Sequence, residues 1–394
     1  AMGKRALRQN STGANNTAMG HNALAVNTTG ANNTASGYAA LLSNTTASFN
    51  TASGYESLKA NTTGAYNTAV GYQTLNKNTT ANNNTALGTW SLFNNTTGSE
   101  NTAVGYTALN TNTTGYNNIA VGYRALRGNT DGISNVAVGY ASMITNTTGD
   151  FNTAVGDGSL YANTTGNNNT AVGYWSLRAN TGINNTALGN NALRYNTTGT
   201  NNTALGYLAG DNITTGSSNI IIGASVDAPS ATASNQLNIG NWIKGVDGAV
   251  TMPYQPAFLA KMSASQTNLA INTAVKIQFD TEIFDQGADF NTTTNTFTAP
   301  VTGKYFLAMN LNFMNLDTAA GFYQFHLRTS NQDFISTNRV LFAADPAYWS
   351  WSYSGVFDMD AGDTAYIDYY QNAGTAQVDT RPGNETTFSG YLVA

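Results

Sequence analysis

The sequence is poor in several residue types, and each shortage limits what the protein can be. It contains no cysteine, which excludes disulfide cross-links and thiol chemistry. Only 9% of its residues are charged, and the net charge of −5 comes without a basic tract, so nucleic acid is not an expected partner. No apolar run reaches the length that spans a bilayer, so membrane insertion is not expected either. Because 41% of the residues are hydrophobic, the composition still argues against disorder.

In place of charge, the sequence carries a repeat built from asparagine, threonine and glycine. Its best-formed copy reads Asn-Thr-Ala-Val-Gly-Tyr at residues 67–72, followed by Leu75 and by Asn-Thr-Thr at residues 78–80. The glycine recurs every 17 residues, except for one step of 16 residues from Gly173 to Gly189. So short a period indicates stacked coils of one array and not separate domains. The glycines of the array are Gly20, Gly37, Gly54, Gly71, Gly88, Gly105, Gly122, Gly139, Gly156, Gly173, Gly189, Gly206, Gly223 and Gly240.

The first half of each repeat predicts a β-strand that is apolar on both faces. Side chains alternate along a strand, so Thr68 and Val70 share one face while Ala69 lies on the other. Two apolar faces are typical of a parallel strand that is covered on both sides. The interior of the coil can cover one face, and the other needs a cover from outside, most simply another chain. We therefore expect the valine column, including Val121, to be buried.

The second half of the repeat predicts a second inward column and a corner. Leucine follows most of the glycines by four residues, as at Leu75, with Met143 standing in once, and Asn-Thr-Thr-Gly follows, as at residues 61–64. We expect Gly64 to supply a positive φ and Asn61 to cap the turn. The short step supports a corner, since residues 180–182 read Asn-Thr-Gly and the strand columns keep their register. These columns predict a parallel β-solenoid rod that rises roughly 4.7–4.9 Å per coil.

The array resembles two families. Its Asn-small-apolar-Ala-apolar-Gly core is similar to the left-handed β-roll head of trimeric autotransporter adhesins. It resembles even more the Asn-Thr-Ala-Val-Gly-Tyr arrays of tail-fibre proteins from bacterial viruses. Both resemblances imply a homotrimer.

From Pro256 the pattern changes to alternation with a period of two residues. Turn residues such as Ala-Gly-Asp at 361–363 and Arg-Pro-Gly-Asn at 381–384 separate the alternating runs, which is typical of a β-sandwich. The runs are 275–279, 306–313, 322–327, 349–357, 365–370 and 388–393.

This segment also resembles a known family. It opens with Pro-Ala-Phe at 256–258, carries Phe-Thr-Ala-Pro-Val-Thr-Gly-Lys-Tyr-Phe at 297–306, has Gly-Asp at 362–363 before a strand, and ends with Phe-Ser-Gly-Tyr-Leu at 388–392. The set resembles the complement-type, C1q-like globular head. That resemblance implies an antiparallel jelly roll that forms tight trimers.

The predicted organisation is therefore all-β and homotrimeric, in three parts. Residues 1–240 form the β-solenoid of 17-residue repeats, residues 241–255 a neck, and residues 256–394 a C1q-like jelly-roll head. Trp242 and Ile243 follow the last coil and are candidates to plug its open end.

Residues that could carry chemistry are few. The two histidines, His21 and His326, are far apart in the sequence, and we expect a structural role for each. No nucleophile elbow, phosphate loop or dinucleotide fingerprint occurs, and no catalytic residue, metal or cofactor is expected. The carboxylates of the array sit at differing repeat positions and form no column, although a glycan-cleaving tailspike would need two of them roughly 5–9.5 Å apart.

Three further patterns have alternative interpretations. Asp358, Asp360 and Asp363 either belong to a solvated turn, which we favour, or contribute to a calcium site. The Asn-Thr-Thr corners are interpreted as structural, with glycosylation and ice binding as alternatives. The alternating aromatic residues Trp349, Trp351 and Tyr353 favour core or trimer interface over a sugar platform.

Loops of the head are the candidates for recognition, because loops on a rigid sandwich vary without unfolding it. The candidate receptor-binding residues are Asn331, Asp333, Asp345, Tyr348, Asn372, Asp379, Arg381 and Asn384.

The predicted function is host attachment by the distal part of a trimeric tail fibre of a bacterial virus. The partners would be two further copies of the chain and a glycan or protein receptor on the host cell surface. The alternatives are a glycan-degrading tailspike, a bacterial surface adhesin and an ice-binding rod.

Overall fold

A computed structural model describes residues 1–252, 255–339, 344 and 346–393. The chain divides into two compact units, Ala1–Thr251 and Met252–Ala394, and each is treated by itself below. The described residues form strands and turns, and they include no helix long and apolar enough to cross a membrane.

The first unit is a β-solenoid, as the repeat predicts. Each coil contributes one strand of three residues, and the strands stack in parallel with identical columns paired, such as Ala69 with Ala86. The strands are β1 Thr17–Met19, β2 Thr34–Ser36, β3 Thr51–Ser53, β4 Thr68–Val70, β5 Thr85–Leu87, β6 Thr102–Val104, β7 Ile119–Val121, β8 Val136–Val138, β9 Thr153–Val155, β10 Thr170–Val172, β11 Thr186–Leu188, β12 Thr203–Leu205 and β13 Ile220–Ile222.

Of the two apolar strand faces, the alanine face lines the interior. The alanine and leucine columns are buried, as Ala120 and Leu126 show, and they form one continuous core along the unit. The valine column points outward instead, and Val121 is only half-buried within this single chain. The expectation that Val121 is buried is therefore not met within one chain. The interior is narrow, so it admits a methyl group from each strand and one leucine from the opposite side.

Each coil closes through residues in the left-handed conformation. Leu75 adopts a φ of 52°, a cost for a non-glycine residue that its complete burial offsets. Gly54 adopts a φ of 132°, and a Cβ there would lie 2.2 Å from the carbonyl oxygen of Gly71. The expectation of a positive φ at the corner glycine is wrong: Gly64 lacks one, and Tyr66, with a φ of 59°, turns the chain instead. Alanine stands at the equivalent position of two other coils, as Ala47 and Ala81.

The corner asparagines form a buried ladder of amide hydrogen bonds along the unit. Asn61 Nδ2 donates to the carbonyl oxygen of Gly64 at 2.8 Å, which caps the corner as predicted. It also donates to Asn44 Oδ1 at 3.0 Å, and Asn78 Nδ2 donates to Asn61 Oδ1 at 2.8 Å. These side chains are completely buried, so the atom that a glycan would modify is inaccessible and already bonded. This arrangement favours the structural interpretation of the corner.

The short step keeps the strand register but breaks this ladder. Thr170 pairs with Thr186 and Ala171 with Ala187, so the missing residue belongs to the corner, as predicted. Asn180 Nδ2 donates to Gly182 O at 3.0 Å, and Asn163 Oδ1 is buried without a hydrogen-bond partner. One rung is therefore lost where one residue is missing.

The segment after Gly240 extends the rod sheet and is not simply a neck. Strand β14, Gln236–Ile239, continues the parallel stack, and β15, Ile243–Val246, and β16, Ala249–Thr251, fold back on it as antiparallel hairpins. A hairpin covers the unpaired edge of the last coil, which an extended neck would leave open. Trp242 is 74% exposed, so it does not plug the interior.

The second unit is an antiparallel β-sandwich with an aromatic core. One sheet has the order β19-β17-β28-β22-β25 with β27 beside β22, and the other has the order β20-β21-β26-β23-β24 with β18 beside β26. Phe258, Phe297, Tyr305, Phe325 and Phe388 are buried between them. The strands are β17 Ala257–Met262, β18 Val275–Lys276, β19 Thr281–Gln286, β20 Phe290–Asn291, β21 Thr296–Thr298, β22 Gly303–Met314, β23 Phe322–Thr329, β24 Asp333–Asn338, β25 Tyr348–Met359, β26 Thr364–Asn372, β27 Asp379–Thr380 and β28 Gly383–Leu392.

Repairing the short corner should stabilise the solenoid. Inserting a threonine between Asn180 and Thr181 restores Asn-Thr-Thr-Gly and lets the Asn180 side chain donate a hydrogen bond to Asn163 Oδ1. This removes the cost of a buried acceptor without a partner, which is about 1–3 kcal/mol. The expected result is a higher melting temperature of the rod transition in calorimetry. As a control, the same insertion after Thr197, in an intact corner, should lower it. An unchanged or lower melting temperature for the first insertion would contradict the ladder defect.

Candidate functional site

The head has two ends, and they divide the candidate residues. At the near end the chain enters the sandwich, where Leu392 N donates to Pro256 O at 3.0 Å and Gly303 pairs with Met359. At the far end, β22 and β25 finish the same pairing at Met314 and Tyr348. Residues that are close in the sequence can therefore lie a whole strand length apart.

Asn331 and Asp333 lie at the near end, away from the other candidates. Asn331 Nδ2 donates to the carboxylate of Asp363. Asp333 Oδ2 forms an ion pair of 2.6 Å with Arg328 Nη1. Both side chains are exposed, but each is engaged in the turns that join the strands.

Tyr348, Asn372, Asp379, Arg381 and Asn384 lie at the far end. Asn372 ends β26, and Asn384 Oδ1 accepts a hydrogen bond of 3.1 Å from Lys261 Nζ. The eighth candidate, Asp345, lies outside the described residues.

Arg381 and Tyr348 form the centre of this far-end cluster. The guanidinium lies 4.9 Å from the centre of the Tyr348 ring, a cation–π contact. Its Nη1 forms an ion pair of 3.0 Å with Glu385, and the side chains of Arg381 and Glu385 remain 42% and 56% exposed. The ring of Tyr348 is also exposed. A guanidinium, a carboxylate and an aromatic ring are therefore held side by side on the surface.

The far-end cluster is anchored from below by Asn312 on β22. Asn312 O accepts a hydrogen bond of 2.8 Å from Arg381 N, and its side-chain Nδ2 donates to Glu385 Oε2 at 3.3 Å. Ser350 Oγ donates to Asn312 Oδ1 at 2.6 Å. The sequence analysis missed Asn312 and Glu385. The offset of four residues from Arg381 to Glu385 was visible in the sequence, but Asn312 enters through strand pairing alone.

Asp379 holds loops in place. Its Oδ1 accepts from Asn268 N at 2.7 Å and its Oδ2 from Asn315 Nδ2 at 3.2 Å. The carboxylate thus joins two loops beneath the cluster, so replacing it would disturb the site indirectly.

Asp317 is a buried carboxylate that fixes the neighbouring far-end loop. It accepts backbone hydrogen bonds from Ala319 at 2.8 Å, Ala376 at 2.7 Å and Thr375. Burial by itself raises the pKa of Asp317, but these donors together outweigh it and hold the pKa below the ordinary value. The loop formed by residues 373–378 is therefore fastened by an ionised group.

The other sequence candidates have structural surroundings. Asp360 N donates to Asp363 Oδ2 at 2.8 Å within the turn between β25 and β26. In the described part of the chain, no group of three or more His, Asp or Glu side chains is arranged to hold a metal ion. His326 Nδ1 lies 2.7 Å from Arg328 Nη2, and burial followed by the Arg328 charge lowers the pKa of this histidine. Trp351 stacks on Phe325 and Tyr353 on Phe334, so the aromatic residues of β25 pack against the opposite sheet.

Two carboxylates that looked scattered in the sequence meet in the solenoid. Asp211 and Asp227 belong to adjacent coils and lie close enough for their carboxyl groups to interact. Burial and this contact raise the pKa of Asp211.

Comparison with known proteins supports the assignment of the head. Residues 257–393 match the family model described as the C1q domain. Similar solved structures include the globular domain of zebrafish complement 1qA protein, with 17% identity, a TM-score of 0.26, and coverage of 35% of this chain and 98% of that one. A crystal structure of murine APRIL gives 13% identity, a TM-score of 0.27, and coverage of 35% and 99%. No curated protein matches the chain.

These features define the class of the protein. The first unit is a β-solenoid that fits the tail-fibre-like arrays, and the second is a C1q-like head. The two together define an adhesin or binding protein of the fibre type.

The loop held by Asp317 should loosen in acid. Because the pKa of Asp317 is lowered in the folded state, its contribution is complete above the unfolded-state pKa of about 3.9 and is lost as pH falls through the folded-state value. Hydrogen exchange measured from pH 6 downward should show falling protection of Thr375 and Ala376 in acid. In the Asp317→Asn variant, which does not titrate, this pH dependence should disappear. Equal pH dependence in both proteins would contradict the assignment.

Proposed function

We propose that the protein is the distal part of a homotrimeric tail fibre of a bacterial virus, and that the far end of its head binds a receptor on the host surface. The resemblance of the solenoid to tail-fibre arrays supports the viral origin, with a bacterial surface adhesin as the alternative. The C1q-like head supports a trimer, since domains of this type form trimers. The proposal includes no catalytic step, and incubation with host polysaccharide should release no new reducing ends.

An apolar strip on the solenoid and a face of small residues on the head support the trimer. On the solenoid, the outward strand face carries Ile119, Leu188 and Leu205, which are 42–44% exposed in one chain. Parallel sheets are normally covered on both faces, and a contiguous apolar strip indicates an interface. On the head, the outward face of β22, β25 and β28 carries small residues such as Ala308, Ser352 and Ser389, which permit close approach of another copy. In this proposal, both faces are covered by other copies of the same chain.

The far-end cluster supports receptor binding. The main support is the cation–π contact of Arg381 with Tyr348, in which both groups are exposed. Asn312 and Glu385 already hold the Arg381 side chain in place. Arginine and tyrosine are enriched among the residues that dominate binding energies, and an ordered side chain loses little entropy on binding. Three copies of a weak site act together in a trimer, which raises the overall affinity without new contacts.

The trimer is tested by charging the outward strand face. In the trimer, Val121→Asp places three carboxylates in a covered interface, whereas Val121→Ser introduces a residue that the same column already accepts at Ser36 and Ser53. We expect the wild-type mass in light scattering to correspond to three chains of 41.4 kDa each. We also expect Val121→Asp to lower the rod melting temperature far more than Val121→Ser. A single-chain mass, or equal melting temperatures for the two variants, would contradict the trimer.

Receptor binding is tested by removing the guanidinium at the far end. The labelled full-length protein is first screened against a glycan array and a panel of bacterial cells. Arg381→Ala should then weaken binding by about tenfold or more, because three sites are lost at once. Arg8→Ala, which removes an exposed positive charge from the first coil of the solenoid, is the matched control and should bind as the wild type does. Unchanged binding by Arg381→Ala, with its fold confirmed by thermal melting, would rule out this site.

A further inference from the structure

The aromatic stack on the outside of the solenoid is interrupted between Tyr72 and Tyr106. Aromatic rings at the position after several repeat glycines stack along the outside, with centroids 5.2 Å apart for Tyr38 and Tyr55 and 5.1 Å for Tyr55 and Tyr72. The stacking stops in the next coil, where Thr89 holds this position, and the ring of the following residue, Trp90, lies at 73° to that of Tyr72 and at 55° to that of Tyr106. The parallel stack resumes at Tyr106 and Tyr123.

A pocket of about 450 Å³ opens beside this break. Its aromatic wall is formed by Trp90, Phe93 and Tyr106, and its polar wall includes Thr107, Arg124 and Arg127. The lining residues, including Gln73, come from four neighbouring coils and occupy the second half of the repeat. None of them belongs to the outward strand face, so the pocket stays accessible when that face is covered.

The indole of Trp90 is held in its unusual orientation by a chain of side chains. Trp90 Nε1 donates to Gln73 Oε1 at 2.9 Å, and Gln73 Nε2 donates to Glu56 Oε2 at 2.9 Å. Glu56 Oε1 in turn forms an ion pair of 2.7 Å with Lys59. The Trp90 side chain is therefore already ordered, and ligand binding does not lose free energy by ordering it.

One polar group of the pocket wall is buried without a partner. Thr107 is 7% exposed, and its Oγ1 makes no hydrogen bond. A buried hydroxyl without a partner costs free energy unless a ligand or water satisfies it. Its position in the pocket wall gives an incoming hydroxyl or carboxylate a ready partner.

The charge of the pocket wall is positive. Neither Arg124 nor Arg127 forms an ion pair with any carboxylate in the described part of the chain. The Arg124 guanidinium lies 5.0 Å from the ring centre of Tyr123, which limits its freedom, and Arg127 is exposed. Arg124 and Arg127 lie three residues apart on the same coil, and two guanidinium groups on one wall suit a single carboxylate, which arginine binds through paired hydrogen bonds.

We propose that this pocket binds an acidic saccharide, specifically a uronic acid unit of a polysaccharide. The pyranose ring would lie on Trp90, as apolar C–H faces pack on aromatic rings. Its carboxylate would lie between Arg124 and Arg127, and the hydroxyls would meet Thr107 and the amides of Asn94 and Asn110. This site is separate from the receptor site proposed on the head and does not depend on it.

The repeat itself supplies substitutions that the fold accepts. Position two after the glycine holds Gln73 in one coil, Trp90 in the next and Arg124 two coils later, all with a left-handed φ. Position five holds Asn76, Asn110 and Arg127. Arg124→Gln, Arg127→Asn and Trp90→Gln therefore place residues that neighbouring coils already carry at these positions.

The first coil provides a matched control. Arg5 and Arg8 occupy the same two positions there, after Gly3, as Arg124 and Arg127 do after Gly122. Arg5 has a φ of 64° and Arg124 a φ of 57°, so the backbone is equivalent. Arg5→Gln with Arg8→Asn removes the same charge from the rod without touching the pocket.

The test uses the full-length protein and a galacturonate trisaccharide as the probe. Its fully methyl-esterified form is the neutral control ligand, and galactose 6-phosphate tests for phosphate recognition. Ligand-observed NMR titration should show binding of the acid but not of the ester, weakening as salt rises from roughly 50 to 300 mM. Arg124→Gln with Arg127→Asn should raise the Kd by about tenfold or more, and Trp90→Gln should also raise it. The first-coil variant should change the Kd by less than about twofold. Thermal melting confirms that each variant is folded.

Four outcomes would overturn the proposal. They are equal binding of the acid and its methyl ester, an equal loss of affinity in the first-coil variant, no binding of the trisaccharide at about 10 mM, and preference for galactose 6-phosphate over the trisaccharide.

Discussion

The buried amide ladder is the interaction on which the solenoid depends. An asparagine inside a narrow apolar interior must satisfy both ends of its amide, because a buried polar group without a partner costs about 1–3 kcal/mol. Asn61 does so by bonding to its own corner and to the asparagines one coil away on either side. The bonds require identical spacing of the coils, so the ladder and the 17-residue period support each other. The short step shows the consequence, since Asn163 loses its partner where the spacing changes.

Because the residues of the interior columns are fixed by packing, the residue types on the outside of the coils can vary. The alanine, leucine and asparagine columns hardly vary, because each fills a defined space in every coil. The second position after the glycine points outside and holds Glu56, Gln73, Trp90, Thr107 and Arg124 in successive or nearby coils. Substitution there changes contacts with the adjacent coils alone, so chemistry can be placed on the rod without loss of the fold.

The period, the columns, the all-β class and the C1q-like head could be predicted from the sequence, because each follows from local patterns of residues. It could not decide which apolar strand face was internal, since alternation alone makes the Val121 and Ala120 faces equivalent. The size of the interior decides this, and size appears only when the coil closes. Loop candidates were equally ambiguous: Asn331 and Arg381 both looked like loop residues, but strand pairing places them at opposite ends of the sandwich. Asn312 was missed because it lies within a strand and reaches the cluster through the backbone of Arg381.

The two candidate sites differ in how they are built, and the difference follows from the two folds. In the head, the far-end cluster needs β22, β25 and β28 in register, so Arg381, Tyr348 and Asn312 come from distant parts of the sequence. In the solenoid, the pocket is lined by four consecutive coils, and Trp90, Thr107 and Arg124 are each 17 residues apart. A stack in which each coil contacts only its neighbours confines the effect of a substitution to the adjacent coils. A binding pocket can therefore arise at one coil through a few outward substitutions, while the same change in the head would have to preserve the pairing of a whole sheet.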